Sequence, residues 1–541
     1  GALAGQAKVE HSYPHCWRCH NPVIFRATEQ WFIGMDREQL RAKTLEAIKE
    51  VTWHPSWGEE RMSNMIAIRP DWCISRQRVW GVPIIVFYCE ACSEPFTERA
   101  VLERVVQQFR EHTADAWYSQ TVEELMGPGH ACAKCGGTSF RKESDILDVW
   151  FDSGSSHLAV LTPENELPWP ADMYIEGGDQ YRGWFHSSLL VGVGLRGRAP
   201  YRECATHGWT LDANGRAMHK SLGNSIEPEK IIKQYGADLL RLWVASVDLS
   251  EDVRLSDTIL SRLSEAYRKL RNTFRYMLGN VGDFDPATQA IAGADLESFD
   301  AWILLRAEEL VEKCLGWYNE YAFHKVYRAV YEFAGNDLSA VYFDVSKDKL
   351  YTSGPSSHTR RSGQTALHRL NMALTRLLAP ILSFTCEETW KHTKLPAGAA
   401  ESVHMDLFPK PEDLSSGITA GQRAQAKEWD RLVELREPVL KALDAARADK
   451  VIGSALEAAV ILEAGGEFFA LLEKFAADLP GLFIVSQVEL KRLDEDTLSV
   501  RVERARGDKC ERCWKFKTDV GSDADWPTVC ASCAQILREY F

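Results

Sequence analysis

D-M-Y-I-E-G-G-D-Q-Y-R-G-W-F, residues 172–185, and T-H-G-W-T-L-D-A-N-G-R-A-M-H-K-S-L-G-N, residues 206–224, decide the fold of this chain. Met173 to Ile175 reads as a short buried strand, and Gly177-Gly178 ends it with a turn where backbone can approach a ligand closely. Asp179 and Gln180 then stand at the mouth of a helix that starts near Tyr181. A strand, a glycine turn bearing polar side chains and a helix is how an open α/β sheet places ligand-binding groups at the carboxyl ends of its strands. The unit repeats, with Glu203 to Thr206 as a second strand and His207-Gly208 as its turn. Between Gly215 and Gly223 lies a polar loop holding Lys220 and Ser221, suited to bringing an ammonium to a phosphate.

The loop A-M-H-K-S, Ala217 to Ser221, resembles the KMSKS signature of class I aminoacyl-tRNA synthetases. E-G-G-D-Q-Y-R-G-W-F ahead of it and G-A-D-L-L-R-L-W (Gly236 to Trp243) behind it strengthen the likeness. D-W-C-I-S-R-Q-R-V-W-G-V-P-I (Asp71 to Ile84) resembles the isoleucine/valine/leucine subgroup, and L-D-V-W-F-D-S-G-S-S (Leu147 to Ser156) is similar to its isoleucyl branch. One departure matters: the signature's first lysine is Ala217 and its middle serine is His219, so only the second lysine, Lys220, carries over.

Composition narrows the class. The chain has 541 residues, 45% of them hydrophobic and 26% charged, an ordinary profile with room for several domains. No apolar run approaches the ~20 residues of a membrane span. There is no signal-peptide pattern and no initiator Met, so a fragment or processed product and a cytoplasmic, monomeric protein are expected. A net charge of −14 excludes a generally basic nucleic-acid binder, leaving RNA contact to local patches. Fourteen cysteines in a large chain without a leader point to metal rather than disulfides. Cys73, Cys204, Cys314 and Cys386 stand alone and read as small core residues.

The expected architecture is multidomain α/β plus all-α. Residues 1–79 would return the chain into the catalytic domain, 80–145 a zinc-binding insertion, and 146–255 the second half of a Rossmann-like catalytic domain. No two histidines stand three apart, so the signature HIGH of the first half is absent here, as is the editing domain the resemblance implies. From 256 to 450 the sequence reads as a helical bundle, with Leu260, Leu263, Tyr267, Leu270 and Phe274 on one face. The resemblance makes it the anticodon-binding domain. Residues 451–502 read as a small α+β module and 503–541 as a separate zinc knuckle.

Cys510-x-x-Cys513 and Cys530-x-x-Cys533, sixteen residues apart, have the spacing of a closed tetrahedral zinc site. Cys89-x-x-Cys92 and Cys132-x-x-Cys135 form a second set whose 39-residue gap requires a looped-out helix such as Ala100 to Thr113. Cys16 and Cys19 form a half-site, whose partners the resemblance places in a missing N-terminal part. Seven basic residues crowd segment 501–517 around Trp514. Arg512 and Trp514 there suit a single-stranded RNA base, although Trp514 packing on its own knuckle is the alternative.

Glu176, Asp179 and Gln180 read as hydrogen-bonding anchors, because a carboxylate nucleophile needs no general base. The resemblance implies that Glu176 contacts an adenylate, that Gly177 and Asp179 reach its ribose, and that Gln180 lies near the amino acid. It places the adenine against His207-Gly208, and Met218 and Lys220 with the ATP phosphates. Trp150 and Trp184 would wall an aliphatic pocket, or pack in the core. Arg76 and Arg78 would reach RNA phosphates, or pair with carboxylates. The implied reaction is activation of L-isoleucine by ATP with Mg and transfer to tRNA(Ile), by a segment incompetent alone. A valyl or leucyl enzyme, a non-catalytic tRNA-binding protein and a zinc-dependent RNA-binding regulator are the alternatives.

Overall fold

The structure, a computed structural model, describes residues 2–540 apart from residues 3, 4, 17, 18, 219–222 and 496. Contacts divide the chain into two units, residues 1–208 and 209–541.

The first unit is built on a parallel sheet in the order Thr52–His54, Tyr201–His207, Ala171–Gly177. The strand expected over three residues runs for seven, and the helix expected from Tyr181 starts at Trp184, because Gly178–Arg182 forms a 3-10 turn first. Helix Trp184–Arg196 is apolar nearly all round, as a helix enclosed by its own domain must be. It ends at Gly197, whose φ of +73° is the left-handed conformation glycine adopts without strain. With Leu40–Lys49 and Trp57–Ala67 it covers the sheet around Met35, Ile48, Trp53, Tyr174, Phe185 and Tyr201.

The insertion between these parts carries its own antiparallel sheet, Pro95–Phe96, Phe87–Cys89 and Phe140–Lys142. The looped-out helix is Arg99–His112, which lays Val101 and Val105 on Phe87, Trp117 and Leu125.

The second unit opens with a parallel pairing of Thr210–Leu211 against Val253–Arg254 and continues into the helices expected from residue 256. Ser256, Ser357 and Thr419 cap three of them through their hydroxyls. A buried carboxylate ties three helices together: Asp300 accepts hydrogen bonds from Tyr342, Lys349 and Ser362 and is wholly enclosed. After helix Arg436–Ala448 the chain forms a sheet in the order Gln487–Arg492, Ala458–Ala464, Leu498–Arg504, a parallel and an antiparallel pairing. The cysteine-rich end, with helix Ala531–Tyr540, docks on the bundle. Lys515 pairs with Asp348 at 2.6 Å, and the Tyr540 ring lies against Gly354, where a Cβ would come within 2.2 Å of it.

Among the described residues no helix is long and apolar enough to cross a membrane. Cys204, Cys314 and Cys386 are buried and Cys73 is half-buried beside Gln30.

Candidate functional site

The parallel register sets Thr206 opposite Glu176 and His207 opposite Gly177. Two strand ends, separated by 30 residues of sequence, therefore present Glu176, Gly177, His207 and Gly208 on one edge. The turn that follows Gly177 is internally braced. Gln180 Oε1 accepts from the Trp184 backbone at 2.8 Å, and Gln180 Nε2 donates to Asp179 at 3.0 Å. Tyr181 points inward, fully buried, and its hydroxyl accepts from Thr206 at 3.0 Å. Burial pushes that phenol up to about 12, so it stays a neutral hydrogen-bonding brace.

Gly183 is a site residue that the sequence reading passed over. A Cβ there would stand 2.4 Å from Gln180 Oε1 and 2.8 Å from the Trp150 ring. Only glycine lets both side chains close over this point. Trp150 is 41% exposed and borders a cleft of about 280 Å³, together with Arg69, Trp72, Asp148, Arg182 and His186. Trp184 is placed differently: its ring stacks on Tyr174 at 3.9 Å, and its indole N–H donates to the Ser153 carbonyl at 3.0 Å.

Asp148 organises that cleft. Its carboxylate accepts from Trp72 Nε1 at 3.1 Å, Arg76 Nη2 at 2.8 Å and the Trp150 backbone at 3.3 Å, and it caps helix Val149–Gly154. Arg76 is thus engaged with a carboxylate, whereas Arg78 is exposed. The signal for Asp148 was present as an Asp directly before an apolar helical run. His186 is buried with Nδ1 on the Tyr181 carbonyl, and burial holds its pKa down at about 4.

In the second unit, Lys220 and His219 lie outside the described residues. The flanks of their loop are fixed by Asp212. Its carboxylate accepts from Asn224 Nδ2 at 3.0 Å, from the backbone of Asn214 and Arg216, and from Arg216 Nε at 3.1 Å. Those bonds, the one from Asn224 foremost, hold its pKa well below the usual carboxylate range. Met218 and Ile226 pack against the core of the bundle.

Both cysteine sets converge. All four sulfurs of each lie within 4.8 Å of one another, with Cys89–Cys135 at 3.5 Å, Cys92–Cys132 at 3.6 Å and Cys513–Cys530 at 3.9 Å. A tetrahedron with Zn–S bonds of ~2.3 Å has sulfurs ~3.8 Å apart, so both sets fit zinc and leave no position for substrate. Three of their four knuckles share one backbone pattern: the first Cys donates its N–H to the carbonyl five residues ahead and accepts at its own carbonyl from the N–H four residues ahead. Cys89, Cys132 and Cys510 all do so, with Ser93, Gly136 and Trp514 as the fourth residue, each at positive φ. Cys16 has the same pattern with Asn21 and His20. Trp514 is 62% exposed, with Lys509 Nζ 5.6 Å from its ring centre. Arg512 is turned inward and donates to the Thr352 carbonyl at 2.6 Å.

Three family models match separate parts of the chain: tRNA synthetases class I (I, L, M and V) over residues 7–256, the anticodon-binding domain of tRNA ligase over 300–462, and a zinc finger found in FPG and IleRS over 507–536. An isoleucine–tRNA ligase of Syntrophotalea carbinolica is 48% identical over 100% of this chain and 58% of its own length. Residues 7–256 belong to the class I tRNA synthetases. A second isoleucine–tRNA ligase of the family, from Geobacter sulfurreducens, is 48% identical over 99% of the chain and again 58% of its own length. The chain therefore spans somewhat over half the length of these class I relatives. The synthetase model covers the strand edge and its glycine turn, and the zinc-finger model covers the Cys510–Cys533 set.

Proposed function

We propose that the protein containing this chain is an isoleucine–tRNA ligase that activates L-isoleucine with ATP and transfers it to tRNA(Ile), as a cytoplasmic monomer. The observation that carries this reading is the 48% identity to isoleucine–tRNA ligases along the entire chain. The strand edge supports it chemically. Glu176, Gly177 and Asp179 offer acceptors and a bare backbone to the ribose and amino group of an adenylate, and His207-Gly208 offers a flat turn to adenine. Gln180 and Trp150 flank the amino-acid side, with Trp184 behind them.

The isoleucine carboxylate attacks the α-phosphate of ATP in line, and pyrophosphate leaves as its magnesium complex. Lys220 offsets the charge that develops on the transferring and leaving phosphates, a role that needs a positioned cation and no proton transfer. A ribose hydroxyl of the terminal adenosine then takes the acyl group and AMP departs. The zinc ions serve as structural clamps. Trp514 supplies an exposed ring for an unpaired RNA base, and Arg512 sets the knuckle that presents it. The Cys16–Cys19 knuckle is half of a further metal site.

The test is isoleucine-dependent pyrophosphate exchange by the full-length protein. Lys220→Ala should slow exchange by ~10²–10³, the scale of one lost preorganised contact, whereas His219→Ser should change it little. Undiminished exchange in Lys220→Ala would reduce the loop to a surface turn.

A further inference from the structure

The two cysteine sets differ in how their sulfurs are covered. In the terminal set Cys510, Cys530 and Cys533 are buried and Cys513 is half-buried. Arg512 Nη1 donates to the Thr352 carbonyl and also to Cys533 Sγ at 3.6 Å, and the Cys530 N–H donates to Cys510 Sγ at 3.3 Å. Four thiolates on one divalent ion leave a net negative charge. A guanidinium donating to one of the sulfurs offsets that charge and makes the sulfur a poorer nucleophile.

The insertion set is more open. Cys135 is exposed. Lys134, the nearby cation, is turned onto Glu94 at 2.7 Å rather than onto a sulfur. The roof over Cys89 and Cys135 is a glycine: a Cβ at Gly137 would stand 3.1 Å from Cys89 Sγ and 3.4 Å from Cys135 Sγ. Those two sulfurs are 3.5 Å apart. A small electrophile that reaches Cys135 from solvent therefore finds a second thiolate beside it.

This set is also connected to the cleft at Trp150. Cys89 pairs with Phe140 across the insertion's sheet. From there residues 140–148 run to the cleft. Glu143 accepts from Tyr88 at 2.8 Å and from Trp31 at 3.2 Å, and Ile146–Leu147 pairs with Ser75–Arg76. Asp148 follows, with its bonds from Trp72, Arg76 and the Trp150 backbone. The core that steadies the sheet, around Phe87, Val105 and Trp117, is small, and a module of that size depends on a metal staple.

We propose that Cys135 and Cys89 are a hydroperoxide-reactive pair, and that the insertion set is a redox-sensitive clamp on the Asp148–Trp150 cleft. The Cys135 thiolate attacks the outer oxygen of a hydroperoxide and the O–O bond breaks, giving a sulfenic acid and an alkoxide or hydroxide that takes a proton. The Cys89 thiolate then attacks the Cys135 sulfur, a disulfide forms, and hydroxide leaves and takes a second proton. Two thiolates have lost two electrons to the peroxide, which ends as an alcohol and water, or as water alone. Two thiolates remain, too few for a closed zinc site, so the metal leaves and the sheet loosens toward Asp148. The proposal goes beyond the ligase reading, and its test needs neither ATP nor RNA.

The test treats the full-length protein with hydrogen peroxide. Zinc release is followed with a colorimetric chelator, cysteine oxidation by differential alkylation and mass spectrometry, and backbone opening by hydrogen exchange. The first zinc should leave together with the loss of free thiol at Cys89 and Cys135, while Cys510, Cys513, Cys530 and Cys533 stay reduced. Exchange over residues 140–150 should rise at the same stage, and a thiol reductant with added zinc should reverse all three changes. Cys135→His keeps a fourth ligand but no exposed thiolate, so it should hold its zinc at peroxide doses that empty the native set. Oxidation of the terminal set first or in step, zinc loss without faster exchange over 140–150, or native-like zinc loss from Cys135→His would each overturn the proposal. If Cys135→His does not take up zinc, the order of oxidation in the native protein still decides.

Discussion

Trp514 shows what a single residue's backbone reveals. Its φ of +64° is a conformation that costs a non-glycine residue roughly 1 kcal/mol, and Gly136 holds the equivalent place in the other zinc set at +71°. A bulky ring kept at a strained, exposed position is the pattern of a functional contact. Trp514→Gly should therefore stabilise the zinc end by up to about 1 kcal/mol in chemical denaturation. The same change should weaken tRNA(Ile) binding by ~1–3 kcal/mol in filter binding. Unchanged affinity would return Trp514 to a packing role. The sequence made Trp514 legible, because an aromatic among basic residues beside a knuckle is a recognisable pattern. It grouped Arg512 with it, since nothing local announces that Arg512 donates to the Thr352 carbonyl of a distant helix. Gly183 and Asp212 were missed for the same reason: a glycine in a turn and an aspartate in a polar loop look ordinary until their neighbours are placed.

Among elements, helix Ser383–His392 is the clearest case of a local signal overridden by tertiary structure. Its sequence start, L-S-F-T, has no capping residue in place, and the cap comes from Asp238. Asp238→Ala should destabilise the bundle by about 2 kcal/mol, the scale of a lost cap plus buried N–H groups left unpaired. Thr385→Val should cost less, and the double variant less than the sum, because the two share one hydrogen bond. Equal and additive losses in urea denaturation would argue against a shared cap. Asp283 sets an acid limit on the same bundle. Its bond from Arg360, at 2.6 Å, outweighs partial burial and holds its pKa below the ordinary aspartate value. A depressed carboxylate stabilises the fold above its unfolded pKa, and that contribution is lost as pH falls through the folded pKa. Native protein should thus lose more stability in acid than Asp283→Asn; parallel pH profiles would contradict this. The strands and helices themselves were readable from periodicity and glycine punctuation. What periodicity cannot give is strand order. The pairing of Thr52–His54 with Tyr201–His207 joins residues about 150 apart, outside the stretch read as the catalytic half.

For the whole molecule, the class was legible through the resemblance of E-G-G-D-Q-Y-R-G-W-F and A-M-H-K-S to synthetase motifs, and the zinc sites through the spacing of two C-x-x-C pairs each. The expected catalytic boundary at 255 lies beside the end of the synthetase family match at residue 256, while contacts group residues 209–255 with the bundle, a packing relation that leaves little trace in local pattern. Metal analysis should find close to two zinc ions per chain. Cys530→Ser and Cys132→Ser should each remove one, because structural zinc is worth on the order of 10–16 kcal/mol in finger peptides. Retention of both ions by either variant would show that the four sulfurs do not share one ion. The net charge of −14 confines RNA contact to patches, so affinity should fall roughly linearly in log–log terms as salt rises. The most direct test of the account is aminoacylation by the full-length protein, offered isoleucine, valine and leucine with tRNA(Ile), tRNA(Val) and tRNA(Leu). Isoleucine should accumulate on tRNA(Ile) far faster than any other pairing; preferential charging of tRNA(Val) or tRNA(Leu), or no charging of tRNA(Ile), would contradict it.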